Sequence, residues 1–590
     1  APRESKEHAL VHGAGQVGLG AAVALFGVDY FTSFYYATGE LMSALHPAGL
    51  QQYAFIPVLV IFIANFVFGA LYMYSLGVFN EGGGSFTAAM RYLGPALSLV
   101  VAVVLIQDYI FTIVVSTLSG VDQLLSLGNA ANIEWIWHFL IGAVLVAVTW
   151  FVTIRGRGES AQLVFSFLAV FIMLSAIMFV GLFVAQRAGY PAAPSETVQA
   201  PVTVATALYH MLTASMKGLV ALSGLEAMSN GLQFLIDEDT GFVKLGRKYL
   251  PKLEKVWHFY SGKSGIGRTV QTTFLFYGGI TTLLLTVFSL TFNVFDGTSG
   301  RSLVGNLAVI GFSVIPEGRI LFWAYQLLAV VLLSFASMTA YQDLQSMAWR
   351  NVAIGEIPEV VVYRNPAGTF TRPVTAAAIA AVVVQFLVQG RTTLAVPYYG
   401  VGVFLPIMAM ALAIRKHIQQ HHEGRKRFWG VTGATFAAAL SGFVFVGQIV
   451  GKWEEGGWVV LISLSLLVLM AHAILLSPIG YRNAKAIHRI IRDKSRVQGP
   501  MGNIVEWQSL RTQEYRYNLL AIISRFWELF GVRRPVRYEP PLSAGDYDDL
   551  IRLDNADNKT LLDQYLAQPP STVPDVGGNP MEVADPDAHK

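Results

Sequence analysis

Apolar blocks of about twenty residues recur along most of this chain, and they constrain its fold more than any other feature. Each is long enough to cross a hydrocarbon core about 30 Å thick as an α-helix. Inside lipid the backbone groups must be satisfied within the segment, which makes helices the expected form. Of 590 residues, 54% are hydrophobic and 13% charged. Soluble domains carry about 25% charged residues, so roughly half of the usual charge is missing. The reading is an all-α polytopic membrane protein.

Hydropathy predicts twelve spans, with cores at 17–44, 52–76, 94–122, 135–154, 161–185, 205–235, 269–294, 319–345, 373–390, 397–414, 429–450 and 456–477. The first span is read as a retained helix rather than a cleaved leader, because no small-residue cleavage site follows its core. Lysine and arginine gather in one set of loops, including 236–268, and are sparse in the other, which predicts two cytoplasmic termini. Segment 1–16 precedes the first span, and residues 17–414 form a ten-span core followed by two more spans within 415–477. The loop 236–268 reads as a helical hairpin and a basic collar. Residues 478–538 are basic and aromatic, fit for a membrane surface, and 539–590 are acidic and read as disordered.

Several functions are excluded or disfavoured. The chain has no cysteine, so thiol catalysis and disulfides are out. A net charge of +3 is too small for a nucleic-acid binder. "GAGQVG" at 13–18 matches a dinucleotide fingerprint but lacks the strand that must precede it. "SGKSGIG" around Lys263 lacks the leading glycine of a phosphate loop, Trp257 standing in its place. No enzymatic site and no cofactor is expected.

Polar residues inside spans are costly and mark a solute path by default. Four clusters stand out. Asp29 lies in the first span with Thr32, Ser33 and Tyr36; Asp108 and Thr112 lie four apart in the third and share a helix face. Ser223 and Glu226 lie among glycines in the sixth, and Tyr398 and Tyr399 open the tenth. The first and sixth spans carry polar and glycine interruptions and run in opposite directions, the pattern of inverted five-helix repeats with broken helices at a midplane site. Oxygen ligands alone suit a hard cation. Asp343, near a helix end, reads as solvated, and Asn65 as a helix–helix contact.

These motifs resemble the amino acid–polyamine–organocation superfamily over roughly residues 15–415: "NEGGGSFTAAMRYLGP" its re-entrant segment, "LIQDYIFTIVVSTLSGVDQL" its third span, and "ALSGLEAMSNG" its sixth. The resemblance implies a LeuT-like 5+5 repeat with two added C-terminal helices. Asp29-x-x-Thr32-Ser33-x-x-Tyr36 is similar to the first span of Kup and KimA-type potassium–proton symporters. Carried over by position, the potassium ligands would be Asp29, Tyr36, Asp108, Thr112, Ser223 and Tyr399, with Thr32 and Ser33 secondary and Glu226 the proton-linked acid. Ser223 stands where KimA-type proteins usually have threonine. Lys217 stands where relatives usually have a small neutral residue. As a modulator it would face the cavity, and the simpler reading is that it snorkels outward.

The function these readings point to is a cell-membrane transporter importing potassium with protons by alternating access. The alternatives are a proton-coupled permease for amino acids, amines or polyamines, and a non-transporting membrane sensor. Expected partners are membrane lipids and a small cation, with a homodimer open and no regulatory ligand identified. The KimA-type C-terminal nucleotide-binding-like domain is not recognisable after residue 480, which speaks against a dimer built through it and against control by a cyclic dinucleotide.

Overall fold

The computed structural model describes residues 17–477 and 500–530, apart from 80–81, 129–132, 156–160, 194–202, 233–234, 297, 354–355, 364 and 367–368. Segments 1–16 and 539–590 therefore lie outside the described residues. The described chain is helical almost throughout. In order come α1 (Leu19–Leu45), α2 (Phe55–Val78), α3 (Gly84–Tyr92), α4 (Pro95–Leu125), α5 (Trp135–Ile154) and α6 (Ala161–Arg187). Then follow α7 (Val204–Leu219), a 3₁₀ stretch over Val220–Leu225, α8 (Ala227–Gly231), α9 (Gly241–Tyr249), α10 (Glu254–Phe259) and α11 (Gly262–Phe292). The last group is α12 (Leu303–Ser313), α13 (Gly318–Ala353), α14 (Thr371–Leu387), α15 (Thr392–His421), α16 (Gly424–Gly451) and α17 (Gly457–Leu476). A separate unit, Ile490–Lys590, contains α18 (Pro500–Glu528), whose last turns expose Ile522, Phe526 and Trp527.

Nine helices among the described residues are long and apolar enough to cross a membrane. They include α4 and α15, which are mostly buried, and α5 and α17, which are mostly exposed. The exposed faces are oily: Leu59 and Phe62 on α2, Val144 and Val148 on α5, Phe276 and Ile280 on α11 stand out three or four residues apart. In water such stripes would be an aggregation surface, whereas against lipid they are the expected coat. This is the build of a polytopic membrane protein. The three remaining apolar blocks coincide with α1, with the interrupted segment α7–α8, and with the shorter α14.

The structure corrects the expectation that both the first and sixth spans are broken. α1 is one continuous helix of 27 residues. Its polar residues bond within it: Thr32 Oγ1 donates to the Val28 and Asp29 carbonyls (2.9 and 3.2 Å), and Ser33 Oγ donates to the Asp29 carbonyl at 2.7 Å. Hydroxyls bonded one turn back need no unwinding. The sixth segment does lose its α-helical form, over Val220–Leu225. There Gly224 comes so close to α1 that an added Cβ would lie 2.8 Å from the Tyr30 backbone nitrogen.

Short elements were harder to foresee. α3 and α12 each follow a long helix (α2 and α11) and precede a longer one (α4 and α13), and α4 and α13 pack along each other. In the 236–268 region α9 and α10 pack through Gly246 and Trp257, with Arg247 paired to Asp239 and Glu254. The "SGKSGIG" amides serve as the start of α11, since Gly262 and Lys263 N–H donate to Asp239 and Asp237 (3.0 and 2.9 Å).

Asn65 is indeed a helix–helix contact: it accepts from Tyr30 of α1 at 2.6 Å and donates to the Leu275 carbonyl of α11 at 3.1 Å. Replacing it by alanine strands a buried phenol and a buried carbonyl. Asn65→Ala is expected to cost about 1–3 kcal/mol, read as a lower Tm in detergent. An unchanged Tm would show that the contact carries no stability.

Candidate cation site

One cavity lies where α1, α4, α13, α15 and the interrupted segment meet. Asp29, Asp108, Thr112, Ser223, Glu226 and Asp343 all line it. Its volume is about 30 Å³, against the roughly 10–15 Å³ that a single water needs. Pockets for organic ligands run to about 300–1,000 Å³.

Helix geometry explains why these groups face one another. On α4, Asp108 and Thr112 project from one face, and Thr112 Oγ1 donates back to the Asp108 carbonyl at 3.0 Å. The same hydroxyl meets the Tyr399 hydroxyl of α15 at 2.9 Å. On α1, Ser33 Oγ lies 3.4 Å from Asp29 Oδ1 and accepts from the Tyr36 hydroxyl at 2.9 Å. Tyr36 and Tyr399 thus form a second layer behind Ser33 and Thr112. Thr32 is engaged by its own helix and is not among the lining residues.

Two oxygens at the centre are conspicuous. Asp108 Oδ1 and Ser223 Oγ are out of reach of solvent and have no hydrogen-bond partner among the described residues. Ser223 Oγ faces the Tyr36 and Tyr399 hydroxyls without a well-formed bond to either. Gly402 of α15 lies over Asp108, an added Cβ falling 3.6 Å from Oδ1. Pro406, one turn on, supplies no N–H to the Gly402 carbonyl. Asp29 and Asp108 are both buried, and Glu226 is a further like-charged neighbour of Asp108. Carboxyls so placed do not all ionise together: either a cation offsets their charge or protons neutralise some of them. No three acidic or histidine side chains among the described residues are grouped so as to hold a metal ion.

Glu226 does a different job. Its Oε1 accepts from the Ser85 N–H at 2.8 Å and its Oε2 from the Tyr72 hydroxyl at 3.3 Å. It therefore braces the start of α3 against the interrupted segment. The brace requires glycine at 84: its φ is +50°, and an added Cβ would lie 2.3 Å from Asn230 Oδ1 and 2.6 Å from Glu226 Oε1.

Two sequence readings are corrected. Asp343 is no solvated helix end: α13 runs on to Ala353, so Asp343 sits well inside it and lines the cavity. The hydropathy edge at 345 misled because the last turns are polar, though Arg350 and Asn351 are buried. Lys217 neither faces the cavity nor snorkels free. It is buried, with its ammonium 2.9 Å from Glu455 and 3.6 Å from Glu40 of α1. Lys452, just beyond α16, is also buried and donates to the Val396 carbonyl at 3.1 Å. Burial, with the Lys217 charge adding to it, pulls the Lys452 ammonium down to about 7.

Sequence reasoning missed Asn230, Tyr109 and Tyr72. Asn230 stands four residues after Glu226, a spacing that places both on one helix face and was readable. Tyr72 carried no comparable signal.

No family model matches the chain. The chain is similar to the potassium transporter KimA of Bacillus subtilis (strain 168). The two are 23% identical over 466 residues, which cover 77% of this chain and 70% of that protein.

Removing Lys217 alone leaves Glu40 buried without its cation. Lys217→Gln is expected to destabilise the protein by about 3–5 kcal/mol, and Glu40→Gln with Lys217→Gln to recover most of that loss. Thermal unfolding of both variants in detergent decides it; equal loss in the single and double variants would contradict the pairing.

Proposed function

We propose that this chain is a secondary active transporter that imports potassium ions, coupled to protons, by alternating access. The observation that carries this reading is the pair of buried, unpartnered oxygens, Asp108 Oδ1 and Ser223 Oγ, beside a cavity of about 30 Å³ that Asp29 and Thr112 also line. Unpaired buried oxygens cost free energy unless a hydrogen-bond donor, a water or a cation meets them, and the two buried carboxyls at this cavity favour the cation. A space of this size favours a bare monovalent cation over an amino acid or polyamine. Similarity to a potassium transporter points the same way.

In this reading a potassium ion exchanges its water for oxygens of Asp29, Asp108, Thr112 and Ser223, with Tyr36 and Tyr399 holding the hydroxyls in place from behind. Glu226 is the proton-linked acid. Its two bonds to α3 and α2 make its protonation state a matter for the packing of those helices, so that proton release and helix movement are linked. The 3₁₀ stretch over Val220–Leu225 is the natural hinge, since its hydrogen bonds are already weaker than those of an α-helix.

The architecture belonging to this proposal is twelve spans in a LeuT-like 5+5 inverted repeat with α16 and α17 added, the sixth span interrupted and the first continuous. Support comes from the recurrence noted above: long helix, short helix (α3, α12), longest helix (α4, α13), once in each half. The basic loops support a cell-membrane protein with both termini in the cytoplasm. There 236–268 acts as a collar.

The test is rubidium uptake into proteoliposomes under an imposed pH gradient. Asp29→Asn removes a charge-assisted contact worth about 1.5–3 kcal/mol and is expected to weaken apparent affinity roughly ten- to hundredfold. Uptake by Asp29→Asn at wild-type affinity would contradict the site assignment. A wild-type chain that accumulates a labelled amine and not rubidium would contradict the substrate.

A further inference from the structure

The corner where α16 ends and α17 begins grips the interrupted segment on the side of the cavity where α1 ends. The change of helix type supplies its foothold. Where α7 gives way to the 3₁₀ stretch, the Val220 N–H bonds to the Lys217 and Gly218 carbonyls and not to that of Met216, four residues back. A buried carbonyl released in this way needs another donor, and Gln448 Nε2 of α16 donates to it at 2.7 Å. Two neighbouring contacts repeat the grip. Thr213 Oγ1 donates to the Gly451 carbonyl at 3.1 Å, and the Lys217 ammonium lies 2.9 Å from Glu455. Thr213 stands three and four residues before Met216 and Lys217, so one face of α7 carries all three contacts.

The same corner is fixed to α15, along which α16 packs. Lys452 Nζ donates to the Val396 carbonyl at 3.1 Å. Gly456, at φ +96°, lies against Tyr398, where an added Cβ would come within 2.7 Å of the hydroxyl. Gln448 and Lys452 are both wholly buried, so this end of the bundle is shut. The contacts stand clear of the cation site and on one side of it. Glu40, 3.6 Å from the Lys217 ammonium, is three turns beyond Asp29, about 16 Å along α1. Lys217 precedes Ser223 on the interrupted segment, and Val396 precedes Tyr399 on α15. The α15–α16 pair is thus one body, and α7 is the piece that it holds.

We propose that the α16–α17 corner, through Gln448, Gly451 and Glu455, is a clamp that shuts the cavity on the side where α1 ends and must release α7 for an ion to pass there. This rests on the transport reading above. The 3₁₀ stretch gives α7 a hinge, so it swings without dragging Glu226, which Tyr72 and Ser85 hold. The contacts suit a reversible hold. Two are neutral hydrogen bonds of modest net strength, and the third is an ion pair whose Glu455 side chain is 37% exposed and so open to water and screening.

A reversible cross-link across the clamp in the full chain, with rubidium as the probe, tests this. The chain lacks cysteine, so Thr213→Cys with Gly451→Cys makes a unique pair. An added Cβ at Gly451 lies 3.5 Å from the Thr213 Cα with nothing nearer, a separation that suits a disulfide. Oxidation is expected to slow rubidium uptake into proteoliposomes about tenfold or more, and to leave equilibrium binding in detergent, where the ion arrives from the other side, within about threefold. Reductant should restore uptake, and Gly451→Cys alone should be indifferent to both treatments. As a second reading, the Gly451→Cys thiol is reached by a methanethiosulfonate only as the clamp opens, and rubidium but not choline should slow that reaction. Undiminished uptake by the cross-linked chain would overturn the proposal, as would failure of the pair to cross-link or a modification rate that rubidium leaves unchanged. Loss of binding on cross-linking would also overturn it, since the corner would then belong to the site itself. A wild-type chain that neither binds nor accumulates rubidium would overturn the transport reading, and this inference with it.

Discussion

Two carboxyl groups, Asp29 and Asp108, are buried in the middle of an apolar helix bundle, and much of the surrounding structure is arranged to tolerate them. An isolated ionised carboxylate in such a place is costly. Here hydroxyls stand around the pair: Ser33 beside Asp29, Thr112 on the Asp108 carbonyl, and Tyr36 and Tyr399 behind them. These groups are dipoles and reduce the cost without cancelling the charge. The remainder has to come from a cation or from protons, and that requirement links the site's chemistry to its proposed traffic.

The proposed transport makes a second demand, which is to let part of the site move while the rest is held. The 3₁₀ stretch Val220–Leu225 carries Ser223 and touches α1 through Gly224. Flanking it are two anchors. On one side Glu226 grips α2 and α3 through Tyr72 and Ser85; on the other Lys217 is clasped by Glu40 and Glu455. Ion pairs this deep are weak sources of net stability but strong constraints on geometry once formed. The interrupted segment is thus tethered at both ends and soft in the middle.

Much of this was legible in the sequence because membrane helices leave a coarse and strong signal. Block length and hydropathy revealed the helices, and the spacings Asp108–Thr112 and Ser223–Glu226 placed polar groups that do share one cavity. What failed did so for identifiable reasons. The interruption in the first span was inferred from its polar and glycine residues, but the Thr32 and Ser33 hydroxyls bond within the helix, which stays continuous. Asp343 was dismissed because hydropathy marks where a helix leaves lipid, and not where the helix ends. Lys217 was misplaced because its partner Glu455 is 238 residues away and lies in a loop, a relation that no local pattern encodes.

The central claim is that the cavity between Asp29 and Asp108 holds a bare monovalent cation. Rubidium or thallium anomalous scattering from crystals of the full chain examines this directly. The account predicts a compact peak within coordination distance of oxygens from Asp29, Asp108, Thr112 and Ser223, lost when potassium replaces the heavy ion. Elongated density of an organic solute across the cavity, or no anomalous peak at saturating rubidium, would contradict it.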